Sequence, residues 1–212
     1  VTPACHAPWK GSGTPAPTEA PTVEKSDEVT YYVARLDIID TGEGLKLPPV
    51  VAIEAAPAGG VTAEAITRIA SEKISETEVT EFGKGYTEPP AVTLTLNEDA
   101  PEGTIGELQA IMRATFRGKY QCYYRFVNKS VPVNEGGPLY SNLSPVTVVD
   151  TKDGSSQLTW TLPDNLEVPD NCTVELWRSS ANQSTTLYFI KELTTERGYV
   201  DVINEHDLTN AD

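Results

Sequence analysis

Histidine is almost missing from this chain: His6 and His206 stand at opposite ends of its 212 residues. A histidine-based metal site or a Ser-His-Asp arrangement would need the two termini to meet. Cysteine is scarce and odd in number. Cys5, Cys122 and Cys172 are spaced too widely for a metal pair and make no disulfide framework. Cys122 and Cys172 read as small apolar residues within strands. Basic residues are few, 16 against 31 acidic, for a formal charge of −15. The deficit is spread along the chain, with 18 acidic against 9 basic residues through Arg117 and 13 against 7 after it. Phosphate backbones and anionic lipid repel such a chain, so neither nucleic acid nor a membrane surface is expected as a partner. No apolar run approaches the roughly 20 residues of a membrane span. The first residues also lack the charged-then-apolar pattern of a secretory leader.

Other absences narrow the chemistry. The pairs Gly42/Gly44 and Gly83/Gly85 lack the third glycine, the following helix and the downstream acid of a nucleotide fingerprint. Prolines follow them and would block the helix that a phosphate needs, so the pairs are turns. Acidic clusters at Asn97-Glu98-Asp99, Asp150 to Asp153 and Glu205 to Asp207 lack the spacing of a calcium loop and read as solvated turns. No carboxylate pair stands out for glycoside hydrolysis. These residues imply no cofactor, and an enzyme is not expected. Four Asn-x-Ser/Thr triplets, at Asn128, Asn142, Asn171 and Asn182, read as incidental.

What the chain does have is a pattern that occurs twice. Gly42-Glu-Gly44-Leu-Lys-Leu-Pro48-Pro49-Val-Val51-Ala-Ile53 returns 41 residues later as Gly83-Lys-Gly85-Tyr-Thr-Glu-Pro89-Pro90-Ala-Val92-Thr-Leu94. Ala65-Ile-Thr-Arg68 is echoed, at 45 residues, by Ala110-Ile-Met-Arg113. Glycine permits φ > 0 in each turn, and the prolyl pair removes donors just before each apolar run. Such a strand start belongs at a sheet edge or a subdomain rim.

Residues 1–28 are rich in Pro, Ala, Thr, Gly and Ser without apolar period, and read as an extended arm with no core of its own. Contacts with other chains would order it, with Trp9 as the buried anchor. Residues 29–117 hold the repeat, with strands expected over 31–38, 50–53, 77–80 and 91–96. The stretch 62–73 has some helical period, since Ala63, Ile66, Ile69 and Ala70 could share a face. Its counterpart from Ile111 to Phe116 looks like a strand, and β is favoured for both. After Gly118 strands alternate with short turns, as in an antiparallel sandwich. They are expected over 120–127, 139–145, 146–149, 157–162, 173–178, 186–190 and 199–202, and the last ten residues carry no strand pattern.

Gly118-Lys-Tyr120-Gln-Cys-Tyr-Tyr-Arg-Phe126-Val-Asn followed by Leu139-Tyr-Ser-Asn-Leu-Ser-Pro145 resembles the last hairpin of a fibronectin type III-like domain. Trp160, in Leu-Thr-Trp-Thr-Leu-Pro, is similar to that family's buried tryptophan on an early strand. Glu175-Leu-Trp-Arg-Ser179, Leu187 to Ile190 and Tyr199-Val-Asp201 look like its middle strands. The resemblance therefore implies an all-β chain with immunoglobulin-like sandwiches. One would close over 118–145, with 29–117 readable as an insertion in it, and a second, partial one would span 146–212. Cys122 and Cys172 would then lie in different sandwiches and stay unbonded. The second sandwich lacks an evident last strand, which leaves an unpaired edge expected near Tyr199, Val200 and Val202. The Gly-x-Gly…Pro-Pro repeat resembles β-rich segments of tailed-bacteriophage virion proteins, and the combination implies a non-catalytic structural subunit of such a particle. Its partners would be other virion subunits, copies of itself included. A secreted bacterial cell-surface or glycan-binding module is the alternative, with Tyr86, Tyr140 and Trp177 as platform candidates against a reading in which they pack in cores.

Overall fold

The computed structural model describes residues 16–130 and 137–210. It is nearly all β, with antiparallel sheets throughout and one short helix among the described residues. The chain divides into two compact units. One is split in sequence, running up to Glu28 and resuming at Phe116; the other, Val29–Thr115, is inserted between its two parts.

The inserted unit carries the repeat. Its strands are β2 (Tyr31–Asp40), β3 (Val50–Ile53), β4 (Glu64–Ala70), β5 (Lys73–Glu81), β6 (Val92–Thr95) and β7 (Glu107–Ala114). They pair β2 with β7, β3 with β6 and β4 with β5. The stretch weighed between helix and strand is therefore β4 and the start of β5. Its alternation of Ile66 outward with Thr67 inward is the period of two that a strand requires. Corresponding hydrogen bonds recur at the 41-residue offset. The Val33 N–H donates to the Phe82 carbonyl at 2.9 Å, and the Ile74 N–H to the Thr41 carbonyl at 2.8 Å. Val33, Leu36, Leu45, Ile74, Tyr86, Leu94 and Leu108 form this unit's core.

The split unit contains β1 (Thr22–Lys25), β8 (Lys119–Asn128), β9 (Leu139–Tyr140), β10 (Thr147–Asp150), β11 (Leu158–Thr161), β12 (Cys172–Ser179), β13 (Leu187–Leu193), β14 (Gly198–Asp201) and α1 (Glu205–Asn210). One sheet runs β1-β11-β14; the other runs β10-β8-β12-β13, with β9 also on β8. The two share a core in which Val23, Leu158 and Trp160 meet Tyr120, Tyr124, Phe126, Val174, Leu176 and Ile190.

Two expectations about boundaries fail here. The boundary at 145/146 does not exist, because β8 pairs with β12 from Cys172↔Asn128 to Arg178↔Cys122. The residues of 118–145 and 146–212 thus form one sheet over one core. Each motif was legible locally, but pairing across some fifty residues leaves no local trace. Cys122 and Cys172 are free, as expected, but for a different reason: they sit on adjacent strands, six positions apart in register, roughly 20 Å at strand rise.

The arm also ends earlier than residue 28. Thr22-Val-Glu-Lys alternates, Val23 is 9% exposed in the core, and β1 pairs with β11 from Thr22↔Thr161 to Lys25↔Leu158. This segment packs on its own unit; Trp9 lies outside the described residues. Deleting residues 1–28 should therefore destabilise the split unit, by about 2–4 kcal/mol from Val23 burial and the lost ladder. A deletion ending before Ala16 spares β1. Urea unfolding of the two truncations side by side checks the difference.

α1 was not expected. Asn204 opens it: the Asp207 N–H donates to Asn204 Oδ1 at 2.9 Å, and Asn204 Nδ2 to Asp207 Oδ2 at 2.9 Å. Asn-x-x-Asp at 204–207 is a reciprocal cap that the sequence already displays.

Candidate functional site

Among the described residues β14 is the end strand of its sheet, paired only with β11, from Thr161↔Gly198 to Leu158↔Asp201. Strand alternation sends Tyr199 and Asp201 toward the core and Val200 the other way. Tyr199 is half-buried, whereas Val200 and Val202 are 44% and 42% exposed. The structure thus places the three edge residues named from sequence together, at a sheet terminus.

A buried charge cluster holds this strand. Arg178, on β12 of the opposite sheet, is wholly buried, and so is Asp201. Arg178 Nε donates to Asp201 Oδ2 at 2.8 Å, Nη2 to the Ile203 carbonyl at 2.9 Å, and Nη1 to Glu205 Oε1 and the Ser179 carbonyl at 3.3 Å. Asp201 Oδ1 accepts the Ile203 N–H at 3.0 Å. The guanidinium also lies over the rings of Phe116 and Tyr120, 4.9 and 5.0 Å from their centroids. The bonds join β12, β14 and the start of α1, so the edge strand is tied across the core. Burial pushes the Asp201 carboxyl above its ordinary value, with Arg178 and the Ile203 N–H acting against it. Burial pushes the Cys122 thiol up to about 12 and the Tyr120 hydroxyl up as well, which keeps both neutral.

Sequence reasoning passed over this cluster, though a signal was present. Val174, Leu176 and Arg178 share one parity on β12, and Tyr199 and Asp201 share one on β14. A basic and an acidic residue, each on the apolar parity of its strand, mark a buried ion pair.

Two of the three platform candidates also meet. Arg125 lies between Tyr140 and Trp177, with Cζ 4.1 and 4.5 Å from their ring centroids. Glu175 Oε2 accepts from Arg125 Nε at 2.8 Å and from Trp177 Nε1 at 3.1 Å. Phe189, 42% exposed, meets Trp177 edge-on at 5.8 Å. Tyr86 is elsewhere: it is 2% exposed in the inserted unit's core, and its hydroxyl contacts the Ala63 N–H and the Glu54 carbonyl. It supports a core and offers no platform.

The repeat turns are structural in detail. Gly42, Gly44, Gly83 and Gly85 all have positive φ. Glu43 exchanges backbone hydrogen bonds with Thr104, and Lys84 does so with Val61. Pro49 and Pro90 are buried while Pro48 and Pro89 are exposed, so each pair turns one ring inward.

A cavity of about 240 Å³ lies in the split unit, lined by Pro17, Glu19, Phe126, Pro163, Leu166 and Glu167 among others. Its polar side chains are the carboxylates of Glu19 and Glu167, the Asn165 amide and the Thr18 hydroxyl. Among the described residues no group of three His, Cys, Asp or Glu side chains could hold a metal ion, and no helix is long and apolar enough to cross a membrane.

In the turn between β13 and β14, the Glu196 carboxylate accepts the backbone N–H groups of Thr194 and Thr195. These backbone hydrogen bonds, with one to its own N–H, hold its pKa down to about 2. A depressed carboxylate stabilises the folded turn above its unfolded pKa, and this contribution is lost as pH falls toward 2. A carboxyl-carbon NMR titration should find Glu196 still ionised at pH 3.5, where an ordinary glutamate is mostly protonated.

Comparison of the chain with protein-family models, with curated proteins and with solved structures returns no match.

Proposed function

We propose that this chain is a non-catalytic structural subunit of a bacteriophage particle, a head decoration, connector-region or tail/fibre protein, working through contacts between subunits. The observation that carries the reading is the edge at β14, with Val200 and Val202 in solvent while Arg178 and Asp201 hold the strand from behind. Rigid support behind an open edge suits a surface that other chains pair with. The partners are other virion subunits, including copies of the chain itself, and its location is the virion. Acidity of −15 agrees with contacts that involve neither nucleic acid nor membrane.

The finer fold assignment belongs to the same proposal. Trp160 and the Tyr-rich β8, which resemble parts of a fibronectin type III-like domain, share one core. We read the split unit as one such sandwich in which the hairpin resembling the family's last precedes the strand resembling an early one. The inserted unit is read as two copies of one motif exchanging strands, since β3 and β6 pair with each other. The single sandwich of the split unit takes the place of the second, partial one of the sequence reading.

A specific observation favours the alternative of a secreted bacterial cell-surface adhesion or glycan-binding module. Tyr140 and Trp177, the latter only 8% exposed, flank Arg125 on one sheet face, beside exposed Phe189. The two readings separate by experiment. Disrupting the gene should yield particles that lack this chain and are altered in form or infectivity, with restoration by the chain supplied in trans. Normal particles, together with glycan binding that Trp177→Ala abolishes, would favour the adhesion module instead.

A further inference from the structure

We infer that two copies of this chain associate through β14, edge to edge and antiparallel, with Val200 at the centre. The inference deepens the structural-subunit reading and rests on it. The phase of the ladder comes from the Leu162 N–H, which donates to the Arg197 carbonyl at 2.8 Å. Antiparallel alternation from that bond turns the backbone groups of Tyr199 and Asp201 toward β11. It leaves those of Gly198 and Val200 facing outward, with Val202 next in phase just past the strand's end. Two such edges, related by a two-fold axis at Val200, would pair Gly198 with Val202 of the other copy and Val200 with itself. That register forms up to about six inter-chain hydrogen bonds.

Charge selects a second copy as the occupant. In a chain of net −15, self-association needs a surface where like charges do not meet. The outward positions Gly198, Val200 and Val202 are uncharged, and the edge's acid, Asp201, is inward and paired with Arg178. On the same face of β11, Thr159 stands opposite Val200 and Thr161 opposite Gly198, both uncharged. The first acid outward across the sheet is Glu24 on β1, opposite Thr159. In the joined sheet β1-β11-β14-β14-β11-β1, the two Glu24 residues stand five strand spacings apart, about 24 Å, well beyond the screening length of about 8–10 Å.

Two of the unit's other edge strands, β1 and β13, are blunted. β1 carries Glu24 and Lys25, and the Thr147 hydroxyl of β10 donates to the carbonyl of Pro21 just ahead of it. β13 carries Lys191 and Glu192, and its pairing is broken by a bulge. β14 is short and carries the inward Asp201, but it has no lysine, no proline and no bulge, three features that ordinarily protect an edge.

Sedimentation equilibrium on the whole chain tests this, against Val200→Pro and Val200→Lys. Proline at 200 removes an outward N–H and spares the β11 ladder; lysine keeps the backbone and adds charge at the two-fold axis. The small interface predicts wild-type dimerisation in the range of about 10–100 μM, strengthened by added NaCl. Either variant should weaken it at least tenfold with an unchanged circular dichroism spectrum, and wild-type Val200 and Val202 amides should exchange more slowly as concentration rises. A wild type still monomeric at about 1 mM, or a dimer that neither variant weakens, overturns the pairing. The particle reading stands apart from this result, because it is scored by whether the chain is present in purified particles. A wild type that dimerises through β14 yet is missing from particles would sustain the pairing and sink that reading.

Discussion

Replacing Asp201 by alanine is expected to cost the split unit about 3–5 kcal/mol, a large part of the 5–15 kcal/mol that a domain commonly has. Arg178 has no exposure, so its guanidinium cation lies wholly inside the fold. Without Asp201 it keeps the Ile203 carbonyl at 2.9 Å and, at 3.3 Å, the Ser179 carbonyl and the partly exposed Glu205 carboxylate, a longer ion pair that offsets less of the cost of a wholly buried cation. The reverse variant, Arg178→Met, should cost less, because the stranded carboxyl can take up a proton. Burial already raises the Asp201 pKa, and the sign of the linkage follows. A folded pKa above the unfolded one gives stability that is present at low pH and declines as pH rises through the folded value. The penalty of Arg178→Met should therefore shrink on acidification, while that of Asp201→Ala should not. Replacing both together, Arg178→Met with Asp201→Leu, should restore most of the loss. Urea unfolding at pH 5 and pH 8 measures all three. A cost for Asp201→Ala below about 1 kcal/mol would show that the cluster does not hold β14.

The second large effect is expected in the inserted unit. Gly42→Ala and Gly83→Ala should each cost about 3 kcal/mol. Both glycines have φ near +65°, where a side chain costs about 1–2 kcal/mol. A Cβ would also stand 2.4 Å from the Thr104 carbonyl oxygen at Gly42, and 2.6 Å from that of Val61 at Gly83. These are backbone atoms held by the Glu43–Thr104 and Lys84–Val61 hydrogen bonds, so they cannot step aside cheaply. Gly59 is the control, with φ +86° and open space around its would-be Cβ. Gly59→Ala should show the conformational cost alone. Equal losses at all three positions would mean that the repeat turns are not packed against their partner loops.

Strands were legible where several apolar residues alternate in one run. Val50–Ile53 is found with the expected ends, and Tyr120 to Val127 lies within β8. The Gly-x-Gly turns were legible, because glycine marks turns by local chemistry, and all four glycines have positive φ. Partner choice was not legible. β8 lies between β10, near in sequence, and β12, far from it, and nothing in Tyr120 to Val127 distinguishes the two neighbours. For the same reason one core was read as two sandwiches. Of the site, the edge could be read because no further strand pattern follows Val202. The support behind it required combining parity on two strands, Arg178 on one and Asp201 on the other. Thr22–Lys25 was read by composition as arm, because four residues beside many prolines carry too little pattern to outweigh their surroundings.

The most direct test of the structural-subunit account is the copy number of this chain in purified particles, by quantitative mass spectrometry against the major shell protein. The account predicts a fixed ratio to the shell protein that corresponds to many copies per particle and is unchanged through successive purification steps. A ratio that falls below one copy per particle as purification proceeds would contradict it.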